Sequence, residues 1–214
     1  MLTNIPVTYI LIAINVALSF YAFDKPDVKG KLMMNPYYIK RRNQYYRFIT
    51  SGFIHQDHMH LIMNMISLYF FGTAVESVFS VIFGESGSLY FIALYLLAIV
   101  VSDLPTYFKH KDNIAYNSLG ASGGVAAIIF AFIIFEPLND ILIYFIPVKG
   151  FILGAGYIIY SYYQGRNSSD NVNHDAHLYG ALFGLVFCIV TYPASIPSFF
   201  YQINQWVSGF NLLG

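Results

Sequence analysis

Long apolar runs broken by short polar stretches organise this chain. A helix that crosses a bilayer needs about 20 mostly apolar residues, and six runs approach that length: residues 5–23, 58–83, 89–102, 118–136, 141–162 and 176–192. The breaks between them carry turn and loop chemistry. Gly84 to Gly87 reads as a turn, 103–117 as a polar loop, Glu136-Pro137 with Asn139-Asp140 as a tight connection, and 164–175 as a second polar loop. Pro193 and Pro197 close the last run. The pattern predicts an all-α polytopic membrane protein, a single domain over 1–214 built as a six-transmembrane-helix bundle. No internal repeat stands out, so an inverted-repeat transporter is not indicated.

The longest break, 24–57, is the least loop-like. Tyr37, Tyr38, Tyr45, Tyr46 and Phe48 alternate there with Lys40, Arg41, Arg42 and Arg47, which suits a segment at headgroup level, where rings and cations both find partners. It reads equally as a plain aromatic belt or as an embedded, functional loop.

Composition agrees with the membrane reading. Hydrophobic residues make up 57% and charged ones 10%, against about 25% charged in a soluble domain. Net charge is zero, and neither a phosphate-binding glycine loop nor a Cys/His zinc pattern occurs, so nucleic acid is not an expected partner. Cys188 is the single cysteine, which excludes a disulfide framework within the chain. Met1-Leu-Thr-Asn lacks the basic start of a secretory signal, so the first run is read as a span.

Polar groups inside spans are costly and therefore point to function. His60, Asn64 and Ser67 share one face of the second span at i, i+4 and i+7, and His177 shares a face of the last with Gly180 and Gly184. Ser122 opens the fourth within Gly120-Ala-Ser-Gly-Gly124. These glycine pairs have the small-xxx-small spacing that lets helices pack closely. Packing and chemistry are compatible here, because close approach of the fourth and last helices would bring Ser122 and His177 to similar depth.

Serine is a poor nucleophile until a base takes its proton, and His177 is the intramembrane histidine left once the second helix has another task. A Ser-His dyad follows. No carboxylate has a clear claim as third member: Asp175 lies two residues before His177, and Asp103 and Asp112 fall in a loop. Acyl transfer also needs donors where the oxyanion forms, a task that His60, Asn64 and the Ser122 N–H at a helix start fit. His60-x-x-x-Asn64 could be half a metal site, but no carboxylate or cysteine completes it, so no metal is expected.

Together, His60-Leu-Ile-Met-Asn64, Gly120-Ala-Ser122-Gly123 and Ala176-His177-Leu-Tyr-Gly180-Ala-Leu-Phe-Gly184 resemble the rhomboid family of intramembrane serine proteases. The resemblance covers nearly the whole chain, and Arg47 and Gly72-Thr-Ala-Val-Glu76 resemble further family motifs. Glu76 lies about 27 Å along its helix from His58, near the far membrane surface. The resemblance implies a six-helix rhomboid-like bundle that cleaves transmembrane substrate proteins in or near the lipid bilayer without a cofactor. Ser122 would be nucleophile and His177 base, with His60, Asn64 and the Ser122 N–H at the oxyanion. His55 and Gly120 would line the water-accessible cavity, and Arg47, Glu76, Gly124, Gly180 and Gly184 would be structural. The expected setting is a multi-pass protein of a bacterial plasma (inner) membrane.

Two features depart from that picture. Some family members carry a tyrosine one turn after the serine, packed on the catalytic histidine, where this chain has Ala126. Moreover, ten of the 11 basic residues, Lys25, Lys29, Lys31, Lys40, Arg41, Arg42, Arg47, Lys109, Lys111 and Arg166, fall in odd-numbered loops. The positive-inside rule puts those loops in the cytoplasm, opposite to the usual family orientation. An inactive rhomboid-like protein that binds transmembrane clients is the alternative function. A channel or transporter fits less well, because the polar residues cluster near one face. The loop from Gly165 to Asn173, rich in Gly, Asn and Ser, is expected to act as a mobile cap.

Overall fold

The computed structural model describes residues 6–143, 145–167 and 172–211. Six helices form the bundle: α1 (Val7–Phe23), α5 (His58–Phe83), α6 (Gly87–His110), α7 (Ser122–Phe135), α8 (Gly150–Asn167) and α9 (His174–Thr191). Three short helices, α2 (Pro26–Leu32), α3 (Pro36–Arg42) and α4 (Arg47–Thr50), fold up the long first connection. An antiparallel hairpin, β1 (Asp140–Ile143) and β2 (Ile146–Lys149), precedes α8, and α10 (Ser195–Asn211) follows α9.

The central helix is α7. Its sequence is apolar all round, which suits a helix covered on every side, and Gly123 to Ile128 are all buried between α5, α6 and α9. At 14 residues α7 is shorter than a full crossing, because the chain before Ser122 is not helical. By length and composition, the stretch His58–His110 and α9 are apolar enough to cross a membrane, while α1 and α7 are shorter apolar helices.

Polar side chains fasten the frame. The Glu76 carboxylate on α5 accepts hydrogen bonds from the Val7 N–H (2.6 Å), the Thr8 N–H (2.9 Å) and the Thr8 hydroxyl (2.8 Å), so it occupies the N-terminus of α1, where unsatisfied amides favour an anion. Asn15 of α1 donates to the buried Tyr95 hydroxyl of α6 at 3.0 Å.

Three boundaries differ from the sequence reading. The third span does not stop at 102: α6 runs on through Pro105 to His110, so Asp103 is helical and buried, not in a loop. A proline inside a helix removes a hydrogen bond and normally ends it, which made 103–117 read as loop. The fifth span begins at Gly150, not 141, because β-branched Ile141, Ile143, Ile146 and Val148 flank a two-residue connection and pair as strands. Finally, the chain after Pro193 forms a further helix, α10.

The first connection is folded and packed against the bundle. Pro26 and Pro36 start helices, with Asn35 capping α3 through the Tyr38 N–H at 2.9 Å. Met34, Ile39 and Ile54 are fully buried. Arg47, 3% exposed, donates to the carbonyls of Gly30 (2.9 Å) and Met33 (2.6 Å) and to Gln44 Oε1 (2.7 Å). Burial holds its guanidinium below its ordinary pKa, with Tyr46 and Tyr38 opposing that shift.

Candidate active site

The strand that leads into Ser122 is latched by the first connection. Ser118 and Met34 exchange backbone hydrogen bonds at 2.9 and 3.1 Å, the Gly120 N–H donates to the Ser51 carbonyl at 2.9 Å, and the Ala121 N–H donates to His55 Nε2 at 3.4 Å. Because Nε2 accepts, His55 carries its proton on Nδ1, which lies 2.9 Å from the Ser19 hydroxyl. This imidazole is neutral. Burial, aided by the nearby His60, pushes its pKa down to about 3 against a smaller upward pull from Asp57.

His55 therefore does not do what was expected of it. It is 0% exposed and sits behind the serine loop instead of lining the open cavity. That cavity, of about 770 Å³, is lined by His60, Ser122 and His177, together with Gln56, Asp57, 115–119, Val172 and Asn173. The start of α5, the serine turn and the start of α9 thus meet at one cavity. Asn64 does not line the cavity: its side chain donates back to the His60 carbonyl at 2.9 Å.

Gly120 holds the geometry between His60 and the serine turn. Its φ of +129° lies in the region that favours glycine, and a Cβ there would stand 2.6 Å from His60 Cε1 and 2.8 Å from Nε2. Ser122 starts α7, so the amides of its first turn have no intrahelical acceptor. Asp57 caps α5 through the His60 N–H at 2.8 Å, which fixes the turn that carries the imidazole. The amide bond and His60 hold the Asp57 carboxyl below its usual range.

Helix contact at the site is as close as the glycines promised, but through different partners. A Cβ on Gly180 would overlap the Gly123 carbonyl, and one on Gly184 the Ala127 carbonyl. The α7 side of the contact is therefore Gly123 and Ala127, not Gly120 and Gly124. Gly124 faces α6, where an added Cβ would meet the Tyr95 ring at 3.0 Å. Asn173 caps α9 by accepting from the Ala176 N–H and the Thr106 hydroxyl, each at 3.1 Å, tying the turn before His177 to α6.

Two contributors escaped the sequence reading. Tyr157 of α8 lies nearly parallel to His177, with centroids 6.5 Å apart and planes at 26°, and the His174 ring meets His177 edge-on at 6.0 Å. An aromatic ring thus reaches His177 from a different helix than the one carrying Ala126. The signal was the Tyr157 to Tyr163 cluster, which reads more naturally as a membrane-interface belt. The second is a polar cavity of about 20 Å³ behind the serine, lined by Ser51, Ser102, Asp103, Ser118 and Asn173 as well as Ser122, and it is here, not in the open cavity, that Gly120 is found. The Ser51 hydroxyl lies 3.4 Å from the Asp103 carboxylate. Of the expected cap, residues 165–167 finish α8, 168–171 lie outside the described residues, and Val172 and Asn173 line the cavity. Among the described residues no group of three or more His, Cys, Asp or Glu side chains could hold a metal.

A membrane-type helical bundle with a serine and two histidines around an open cavity at one end defines a class, and comparison with known proteins says which. Residues 42–194 match the family model described as Rhomboid domain. The chain belongs to the rhomboid family and is an integral membrane protein. It is 30% identical over 164 residues to the RHOMBOID-like protein 12, mitochondrial, of Arabidopsis thaliana, covering 71% of this chain and 49% of that one. Similarity to Rhomboid protein 1, mitochondrial, of Saccharomyces cerevisiae is 26% over 193 residues, covering 84% and 51%. The Presenilin-associated rhomboid-like protein, mitochondrial, of Rattus norvegicus is 32% identical over 149 residues, covering 64% and 36%. The chain spans about half or less of the length of these relatives, and their organellar names run against the expected bacterial plasma membrane.

Proposed function

We propose that this protein is an intramembrane serine endopeptidase that cleaves transmembrane substrate proteins with a Ser122-His177 dyad. The observation that carries this reading is the convergence of Ser122, His177 and His60 on one open cavity of an otherwise apolar bundle. His177 takes the Ser122 hydroxyl proton as the oxygen adds to the scissile carbonyl, then delivers that proton to the leaving amine. The oxyanion meets the Ser122 N–H and His60. Asn64 contributes by steadying the His60 turn, and its amide joins the oxyanion donors when it rotates away from the His60 carbonyl. Water then hydrolyses the acyl-enzyme, and the small cavity beside Ser122 has room for one such molecule.

Gly120 lets the serine turn lie flat against His60, while Gly180 and Gly184 set the depth of His177 and Gly124 seats α7 on α6. Arg47 and Glu76 act at a distance, by holding the first connection and the start of α1. The second reading, a rhomboid-like binder of transmembrane clients, was motivated by Ala126. Tyr157 weakens it, since the histidine has an aromatic support after all. The membrane is a bacterial inner membrane in the sequence reading and an organellar one by the names of the relatives; fractionation of the native source decides between them.

The test is cleavage of a reconstituted transmembrane substrate by wild type, Ser122→Ala and His177→Ala, beside labelling by a fluorophosphonate. Wild type should cleave and should label at Ser122, and both variants should lose cleavage while remaining folded. Cleavage that survives in either variant overturns the dyad. A folded wild type that neither cleaves nor labels is the binder.

A further inference from the structure

The face of the bundle opposite Ser122 carries two apolar elements that the reaction does not use. One is α10. Its Gln202 side chain donates to the Phe135 carbonyl at the end of α7 (3.0 Å), and Trp206 meets Phe151 at the start of α8 with centroids 5.8 Å apart. These contacts place α10 about 20 Å along α7 from Ser122. On the outside of α10, Ile196, Phe200, Ile203 and Val207 repeat at i, i+4, i+7 and i+11 as one apolar stripe, with Phe200 64% exposed. Ser198, Gln205 and Ser208 fall on the other side and are exposed, while Asn204 borders the stripe beside Phe200. From Ala176 to the last residue there is no Asp, Glu, Lys or Arg.

The second element is the β1–β2 hairpin beside Phe151. Its base is closed by the Lys149–Asp140 ion pair at 3.0 Å, whereas Leu142 (66%), Ile146 (66%) and Phe145 (92%) are exposed toward its tip. Phe145 has φ +75°, a backbone position that favours glycine. A phenylalanine there holds a large ring outside the fold at the expense of local strain.

We infer that α10 and the hairpin tip form one apolar rim that lies in the membrane at headgroup depth, parallel to its plane, on the side away from the active site. The occupant is the bilayer itself. The preceding helix, α9, also presents exposed apolar side chains, Val186 and Val190 at 55% and 72%, and the polar side of α10 has the make-up of a surface turned to water. A deeper position is excluded for the hairpin, because two strands leave open edges whose backbone groups hydrocarbon cannot satisfy. For α10, Ser198, Gln205 and Ser208 would be stranded in the same way. The rim therefore holds the bundle at a set depth and tilt, which fixes how far below the opposite surface Ser122 lies.

Site-directed spin labels in phosphatidylcholine/phosphatidylglycerol vesicles test this. Cys188 is buried, so labels are placed by Phe145→Cys, Phe200→Cys and Ser208→Cys in the otherwise unaltered chain, with the wild type as the unlabelled control. Labels at 145 and 200 should collide with oxygen and be shielded from an aqueous nickel chelate, at about 5–10 Å below the phosphates, while the label at 208 meets the chelate. Trp206 is the sole tryptophan, so quenching by brominated lipids gives a second reading on the unsubstituted protein. Bromines near the glycerol should quench it more than bromines near the chain ends. Chelate access at 200 equal to that at 208 overturns the proposal, as does midplane depth at 200. Shielding of 200 from both quenchers also overturns it, since a second copy or another protein then covers the stripe.

Discussion

Replacing Gly120 with alanine tests whether His60 works where it stands. The new Cβ would lie 2.6 Å from His60 Cε1 and 2.8 Å from Nε2, well inside the 3.4 Å at which ordinary contact begins, so the ring must retreat by nearly an ångström. The backbone adds its own penalty, because φ +129° is strained for any L side chain; such strain costs about 1–3 kcal/mol. That loss should appear as a lower thermal midpoint without loss of the fold. The catalytic effect is separate. Misplacing an oxyanion donor by about an ångström is expected to lower kcat by about 10²-fold, approaching the 10²–10³-fold of outright removal. Cleavage of a reconstituted transmembrane substrate measures it, with kcat and KM resolved. His60→Ala supplies the reference, and the double variant should be no slower than His60→Ala alone, since Gly120 acts through that ring. Unchanged kcat in Gly120→Ala, or fully additive losses in the double variant, would refute the reasoning.

Tyr157→Ala should lower kcat by about 2- to 10-fold, the worth of an aromatic pair, with Tyr157→Phe close to wild type; equal losses in both would show that the ring does not support His177. Glu76→Ala strips the start of α1 of three hydrogen bonds, and by charge-assisted values should cost about 1.5–3 kcal/mol each at most; detergent-induced unfolding reads the loss, while activity per folded molecule should hold. Arg47→Ala should loosen the first connection, raising protease susceptibility between residues 24 and 57 before the bundle melts. His55 yields a pH prediction: folding keeps it neutral, so the unfolded chain binds the extra proton between its ordinary pKa near 6.5 and the folded value of about 3. Stability should then fall as pH drops through that window by about 1.4 kcal/mol per pH unit at most. His55→Gln should flatten the slope, and an unchanged slope would remove His55 as its source.

Local sequence pattern located most of the helices because bilayer-length apolar runs leave little freedom. It failed where a local signal had two readings. Asp103-Leu-Pro105 looked like the end of a span, yet the bundle supplies contacts that carry α6 through the proline. Residues 141–148 satisfied the length and apolarity of a helix, but their β-branched character lets them pair as a hairpin. The first connection, open between belt and functional loop, packs into the fold through Met34, Ser51 and His55, whose hydrogen bonds hold the turn before Ser122. None of those contacts has a periodicity that a sequence reveals.

What the chain determined by itself is its solvent and its candidate residues: apolar runs that demand a bilayer, and a serine, histidines and glycines at spacings that place each near a helix start. Those are one-dimensional properties, fixed by hydration cost and the 3.6-residue turn. Only the tertiary structure decided the partners. Gly180 and Gly184 meet Gly123 and Ala127 in place of the glycines expected, His55 is a buried latch and not a cavity wall, and the ring beside His177 comes from α8 in place of Ala126. Pairing across helices depends on rotation and depth, which are set by how all six pack at once.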